Sequence, residues 1–237
     1  MEIKIAIAKT NKYGEANSGD TVEIIERPNG GFSAVMADGQ INGKKQKTIS
    51  TMVAHRVIEQ ISNGIRDGAA IRTASNTIFA EYQGKVSADL HVVSVDLQTN
   101  TIIISRNNPL PVFLISEDTV DCLSTDSEPI GTRMDIRASI VELEMKPDMT
   151  IIAFTDGVSN AGRHNPPNLD ICEIVESIIE EQESSAQQIA DFLINRSIRL
   201  DDGRPKDDMS VFVLQVLPQS KDRIRRMHVS FTPDEEY

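Results

Sequence analysis

The chain has 237 residues, a formal net charge of -12 and two cysteines. That length supports one sizeable core, and strong net acidity argues against binding a nucleic-acid backbone, which needs clustered Lys and Arg. Cys122 and Cys172 stand far apart without a CxxC partner, so neither a zinc site nor a disulfide framework is expected, and both read as buried small apolar residues.

The first residues, Met1 to Ala8, alternate charged and apolar side chains and lack the features of a signal peptide. No run approaches membrane-spanning length, so a cytoplasmic, soluble protein is expected. Ile3 to Ala8, Thr21 to Glu26 and Phe32 to Ala37 read as strands, the last two joined by a hairpin turn at Pro28-Asn29-Gly30-Gly31. From Lys47 to Ile61 apolar residues recur at helical spacing up to Asn63-Gly64, and a second helix fits Ala69 to Tyr82, stopped by Gly84. Leu90 to Val95, Thr101 to Ser105, Val112 to Ile115 and Ala138 to Leu143 then read as an antiparallel meander. Met149 to Phe154 is another strand, Ile171 to Ile179 and Ala186 to Ile198 are amphipathic helices, and Ser210 to Leu217 is the last strand. Strands in groups flanked by helix pairs imply an α+β sandwich. Pro218 to Tyr237 turns from basic to acidic with no core face and reads as a mobile or surface-docked tail after a domain spanning residues 1–217.

Four aspartates share one context. Asp20 and Asp207 precede strands, whereas Asp38 and Asp156 follow apolar strands and are each followed by glycine, a pairing that permits a tight turn. Carboxylates gathered at strand ends repel one another unless cations are present. Oxygen ligands without nearby His or Cys select magnesium, manganese or calcium over zinc.

In order and spacing these motifs resemble the PPM-type (type 2C) metal-dependent protein phosphatases, and particularly their bacterial SpoIIE-like branch, over roughly residues 1 to 217. Ser18-Gly19-Asp20 resembles the first acidic motif and Val35-Met36-Ala37-Asp38-Gly39 the second. Ile152 to Val158 resembles the strand ending in Thr-Asp-Gly, and Lys206-Asp207-Asp208-Met209-Ser210 the closing motif. Asn107 to Pro111, Pro129-Ile130-Gly131 and Met145 to Asp148 agree more softly.

The resemblance implies a four-layer α-β-β-α sandwich of two antiparallel sheets and a site holding two Mn2+ or Mg2+ ions. On that basis Asp38 bridges the ions, the Gly39 carbonyl binds one of them, Asp156 and Asp207 hold the other, and Asp20 serves the cluster directly or through water. Asp38, Asp156 and Asp207 are thus the expected catalytic residues, and Asp208 supports the site through hydrogen bonds. A water held between two divalent ions has a lowered pKa and attacks phosphorus in line, without a covalent intermediate. The implied activity is phosphoserine/phosphothreonine protein phosphatase, and the implied partners, by similarity to stand-alone RsbX-type phosphatases, are phosphorylated STAS-domain proteins of a stressosome. A monomer without nucleic-acid or membrane partners is expected.

Two positions depart from the family pattern. Gln40 and Ile41 stand where eukaryotic members carry His and Gly, so the histidine general acid is missing, and no counterpart of their phosphate-holding arginine is found. His55 and His91 read as surface or packing residues, while His164 lies nearer the expected site. The rival readings are a phosphatase-like docking module without turnover, an aspartyl-phosphate receiver domain, which the β meander opposes, and a phosphatase of small phosphoesters.

Overall fold

The computed structural model describes residues 1–116, 119–163, 185–219, 222 and 224–230. The expected helix at Ile171 to Ile179, His164 and Cys172 lie outside the described residues.

The chain opens with β1 (Glu2–Thr10), β2 (Asp20–Glu26), β3 (Gly31–Ile41) and the two-residue β4 (Lys44–Lys45). Helices α1 (Lys47–Ser62) and α2 (Asp67–Tyr82) follow, then β5 (Val86–Asp96), β6 (Thr101–Asn107), β7 (Val112–Ser116) and β8 (Thr119–Leu123). Next come β9 (Ser139–Glu144), β10 (Met149–Phe154), the single turn α3 (Asp156–Ser159), α4 (Ala186–Leu200) and β11 (Met209–Leu217).

The strands form two antiparallel sheets. One has the order β1-β11-β10-β7-β8, the other β2-β3-β5-β6-β9 with β4 added beside β3. Strand alternation sends successive residues to opposite faces, and β3 shows the result. Ala34 and Met36 face the other sheet and pack with Val93, Ile104, Leu114, Ile151, Ala153 and Phe212. Val35 and Ala37 face outward and are covered by Val53, Val57, Ile71 and Ile78 of α1 and α2. On the far side, Ile152, Phe154, Val211 and Val213 are covered by Ile189, Ala190 and Leu193 of α4. The layers therefore run helices, sheet, sheet, helix, as in the expected α-β-β-α sandwich.

Local signals account for most element ends. Arg27 N–H donates to Gly31 O while Gly30 (φ 90°) and Gly31 (φ 92°) take left-handed backbone, which makes the β2–β3 hairpin. Helix α4 starts on a capping box, in which Ser185 Oγ accepts from Gln188 N–H and the Gln188 side chain accepts from Ser185 N–H. That pair contributes roughly 1 kcal/mol to the helix start. Helix α2 stops one residue before the glycine expected to end it, at Gln83 (φ 53°).

Three expectations are corrected. Asp38-Gly39 does not turn; β3 runs through it to Ile41 and the chain reverses at Asn42 (φ 50°) and Gly43 (φ 77°). The middle of the chain is not one meander, because β6 pairs with β5 and β9 while β7 and β8 join the other sheet. Cys122, on edge strand β8, is exposed rather than buried.

Candidate functional site

The aspartates come together because antiparallel register aligns them. Asp20, first residue of β2, stands opposite Asp38 in β3, and Asp38 stands opposite Asp89 in β5, so three carboxyl-bearing residues lie in a row across one sheet. The facing sheet supplies the rest. Asp156 opens α3 directly after β10, and Asp207 and Asp208 lead into β11, whose Ser210 O accepts from Thr155 N–H at 3.0 Å. Asp89 was missed in the sequence because it sits inside a β-branched strand with no adjacent glycine to mark it.

Asp20 is fully buried and spans the sheets. Its Oδ2 accepts from Thr155 Oγ1 at 2.8 Å and Ser210 Oγ at 2.7 Å, both on the facing sheet. Its Oδ1 is buried with no hydrogen-bond partner. Burial raises its carboxyl to about 6 despite those two hydroxyls. Burial likewise lifts Asp38 to about 7, helped by the charge of Asp20, and Asp89 to about 7, helped by Asp38 and Asp156.

The centre of the cluster is held by one ammonium. Lys45, on β4, places Nζ 2.8 Å from Asp38 Oδ2, 2.7 Å from Asp156 Oδ1 and 2.7 Å from Asp207 Oδ2. Each contact carries roughly 6 kcal/mol of gross Coulomb attraction at an effective dielectric near 20, offset by desolvation. Burial opposes the ammonium, but the Asp38 and Asp156 carboxylates outweigh it and raise the lysine's pKa. Nothing in the sequence marked Lys45; its role depends on the short β4 pairing with β3.

The remaining expected residues take supporting positions. Asp208 Oδ1 accepts from Lys12 N–H at 3.0 Å and its Oδ2 from Gly19 N–H at 2.8 Å, which pins the segment leading to Asp20. Asp207 Oδ1 accepts from Asp208 N–H at 2.9 Å. The Gly39 carbonyl accepts from Gln46 N–H at 2.9 Å, leaving it one lone pair. Gly39 itself fits where little else can, since a Cβ there would meet Ser50 N at 2.4 Å. Gln40 lies one residue further along β3, opposite Ser87 and Lys45. Of the histidines, His55 is exposed on α1, whereas His91 is buried against Asn108, and burial, with the nearby Arg106 charge, lowers its pKa to about 3.

Among the described residues no three His, Cys, Asp or Glu side chains form a ready-made metal cage. The donor set nonetheless suits a hard cation. It is all oxygen, three of its carboxylates already converge on a positive charge, and the buried Asp20 Oδ1 has a lone pair unclaimed.

Comparison with known proteins agrees with this architecture. Residues 28–217 match the family described as Stage II sporulation protein E (SpoIIE). The chain is 24% identical over 214 residues to Stage II sporulation protein E of Priestia megaterium, covering 90% of this chain and 36% of that protein. Against the protein of the same name from Bacillus subtilis (strain 168) it is 23% identical over 214 residues, covering 90% and 26%. The chain thus spans about a third or less of the length of these curated relatives. Among solved structures, the PP2C phosphatase domain of SpoIIE from Bacillus subtilis, with a fragment of its regulatory domain, superimposes with a TM-score of 0.77 at 23% identity, covering 91% of this chain and 64% of that one. The catalytic domain of the serine threonine protein phosphatase PstP, in complex with two manganese ions, superimposes with a TM-score of 0.70 at 14% identity, covering 91% and 98%. The chain therefore belongs to the Stage II sporulation protein E family and has the fold of a PP2C phosphatase domain.

Proposed function

We propose that this chain is a metal-dependent phosphoserine/phosphothreonine protein phosphatase, acting on phosphorylated STAS-domain proteins of a stressosome. The observation that carries the reaction type is the convergence of Asp38, Asp156 and Asp207, from two facing sheets, on a single positive charge. The related PstP structure with two manganese ions supports the choice of Mn2+ or Mg2+. Asp20, Asp38, Gly39, Asp156 and Asp207 would hold two such ions, which when bound supply a hydroxide near neutral pH and neutralise phosphoryl charge.

The protein's own part is placement. Thr155 and Ser210 orient Asp20, Asp208 fixes the Gly19 backbone, and β3 and β5 present Asp38 and Asp89 side by side. Gln40 has no proton to give at neutral pH, so this position can hydrogen-bond a leaving group but not protonate it. The stressosome substrate rests on family resemblance, and the cytoplasm is the compartment that goes with it.

Purified protein should hydrolyse p-nitrophenyl phosphate and a phosphoserine peptide with Mn2+, and fall to the no-enzyme background with chelator or in Asp38→Ala. A folded protein silent in every condition would instead be a phosphoprotein-docking module. With activity in hand, phosphorylated stressosome proteins should be cleared in preference to another phospho-STAS protein; the reverse order would sink the substrate assignment and leave the reaction type standing.

A further inference from the structure

Lys45 has a position that the reaction does not require. Its ammonium donates to Asp156 and Asp207 and pairs with Asp38, so three carboxylate oxygens lie within 2.8 Å of Nζ. Those are three of the residues assigned above to divalent ions. Among the described lysines it alone does this. Lys9 and Lys47 lie nearby, yet both donate to the backbone carbonyl of Asp20, at 2.8 and 2.5 Å, rather than to its carboxylate.

An ammonium and a divalent ion on the same carboxylates face each other as like charges a few ångströms apart, and one must withdraw. The lysine is built to be the one that moves. Its side chain is 27% exposed, it sits on a two-residue strand paired only with β3, and it follows the left-handed turn at Asn42 and Gly43. Lysine also has a flexible four-carbon stem, unlike a rigid guanidinium fork. In the absence of ions, the same ammonium offsets the mutual repulsion of carboxylates drawn from two sheets.

We propose that Lys45 is a resident counter-ion of the centre, displaced when divalent cations bind, so that this one side chain sets the metal concentration at which the site loads. The inference rests on the metal-site reading above and adds that loading is an exchange of cations rather than the filling of an open site. Lys45 is not a catalytic residue in this account. It acts on the chemistry only through the ions it yields to.

The test is Mn2+ binding, followed by the paramagnetic resonance signal of free Mn2+, for wild type, Lys45→Met and Lys45→Gln at one pH, alongside melting curves in chelator. Both variants should bind Mn2+ at least ten-fold more tightly, melt lower than wild type in chelator and gain more from saturating Mn2+. Equal or weaker affinity in the variants would overturn the proposal while leaving the metal site intact. No Mn2+ uptake by any of the three would overturn the metal-site reading, and the proposal with it. Wild type alone gives an independent check if the variants do not fold. Acetylation of Lys45 by a water-soluble active ester, read by mass spectrometry against its neighbour Lys44, should rise when Mn2+ is added. Lys45 labelling unaffected by saturating Mn2+ would mean that the ammonium does not leave.

Discussion

The two oxygens of Asp20 have different surroundings, and the difference gives a pH signature. Oδ2 is held by Thr155 and Ser210, whereas Oδ1 is buried without a partner. A buried carboxyl raised to about 6 favours its protonated form, so its charge costs stability above that value and nothing below the ordinary value of 3.8. Asp20→Asn, nearly the same shape without the charge, should therefore stabilise the metal-free protein at pH 8 by on the order of 2 kcal/mol, an advantage that disappears by pH 4. Chemical denaturation in chelator at the two pH values measures it. On the proposed metal-site reading, the same variant should bind Mn2+ more weakly, since it removes one carboxylate charge from the cluster. The sequence marked Asp20, Asp38, Asp156 and Asp207 because each borders a strand, Asp38 and Asp156 with a glycine directly after. Asp89 and Lys45 carried no such mark: their importance comes from register, Asp89 opposite Asp38 and Lys45 opposite Gln40, and register is a property of two strands at once.

At the scale of elements, glycine placement decides which segments can approach. A Cβ on Gly157 would stand 2.0 Å from the Asp208 carbonyl oxygen, so this glycine lets α3 close onto the lead-in to β11 and brings Asp156 beside Asp207. Backbone cannot yield as a side-chain tip can. Gly157→Ala should cost about 3 kcal/mol or more, at the upper end of overpacking, and should weaken Mn2+ binding as well. Gly68→Ala, where the obstructing atom is the mobile Ile140 Cδ1, should leave both nearly unchanged. Thermal melts and Mn2+ titration distinguish the two variants. The helices α1, α2 and α4 were legible because their apolar spacing matches a 3.6-residue period, and the first two are followed by Asn63-Gly64 and Gly84. The end of β3 was misread for an equally physical reason. Asp-Gly is a strong turn signal in isolation, but Gly39 is here flanked by Ala88 and pressed against Ser50, a tertiary demand that no local pattern displays.

For the whole molecule, periodicity identified strands without saying which sheet each joins. Strands β6 and β7 look alike in sequence, yet the chain crosses from one sheet to the other between them. The four layers were therefore read from family resemblance rather than from pattern. The described part of the C-terminal segment touches the body through an exposed Arg225–Glu26 pair at 3.1 Å, a kind of contact that contributes little. Removing Pro218 to Tyr237 should accordingly shift the melting temperature by no more than about 2 °C; loss of soluble protein would refute a domain boundary at Leu217. One feature links stability to chemistry at this scale. Lys45 belongs to one sheet and reaches Asp156 and Asp207 on the other, and Asp20 is bonded across the same seam to Thr155 and Ser210. The charges proposed to hold the metal ions are thus also a clasp across this end of the sandwich, so replacing the ammonium by divalent ions should change how firmly the two sheets are held together.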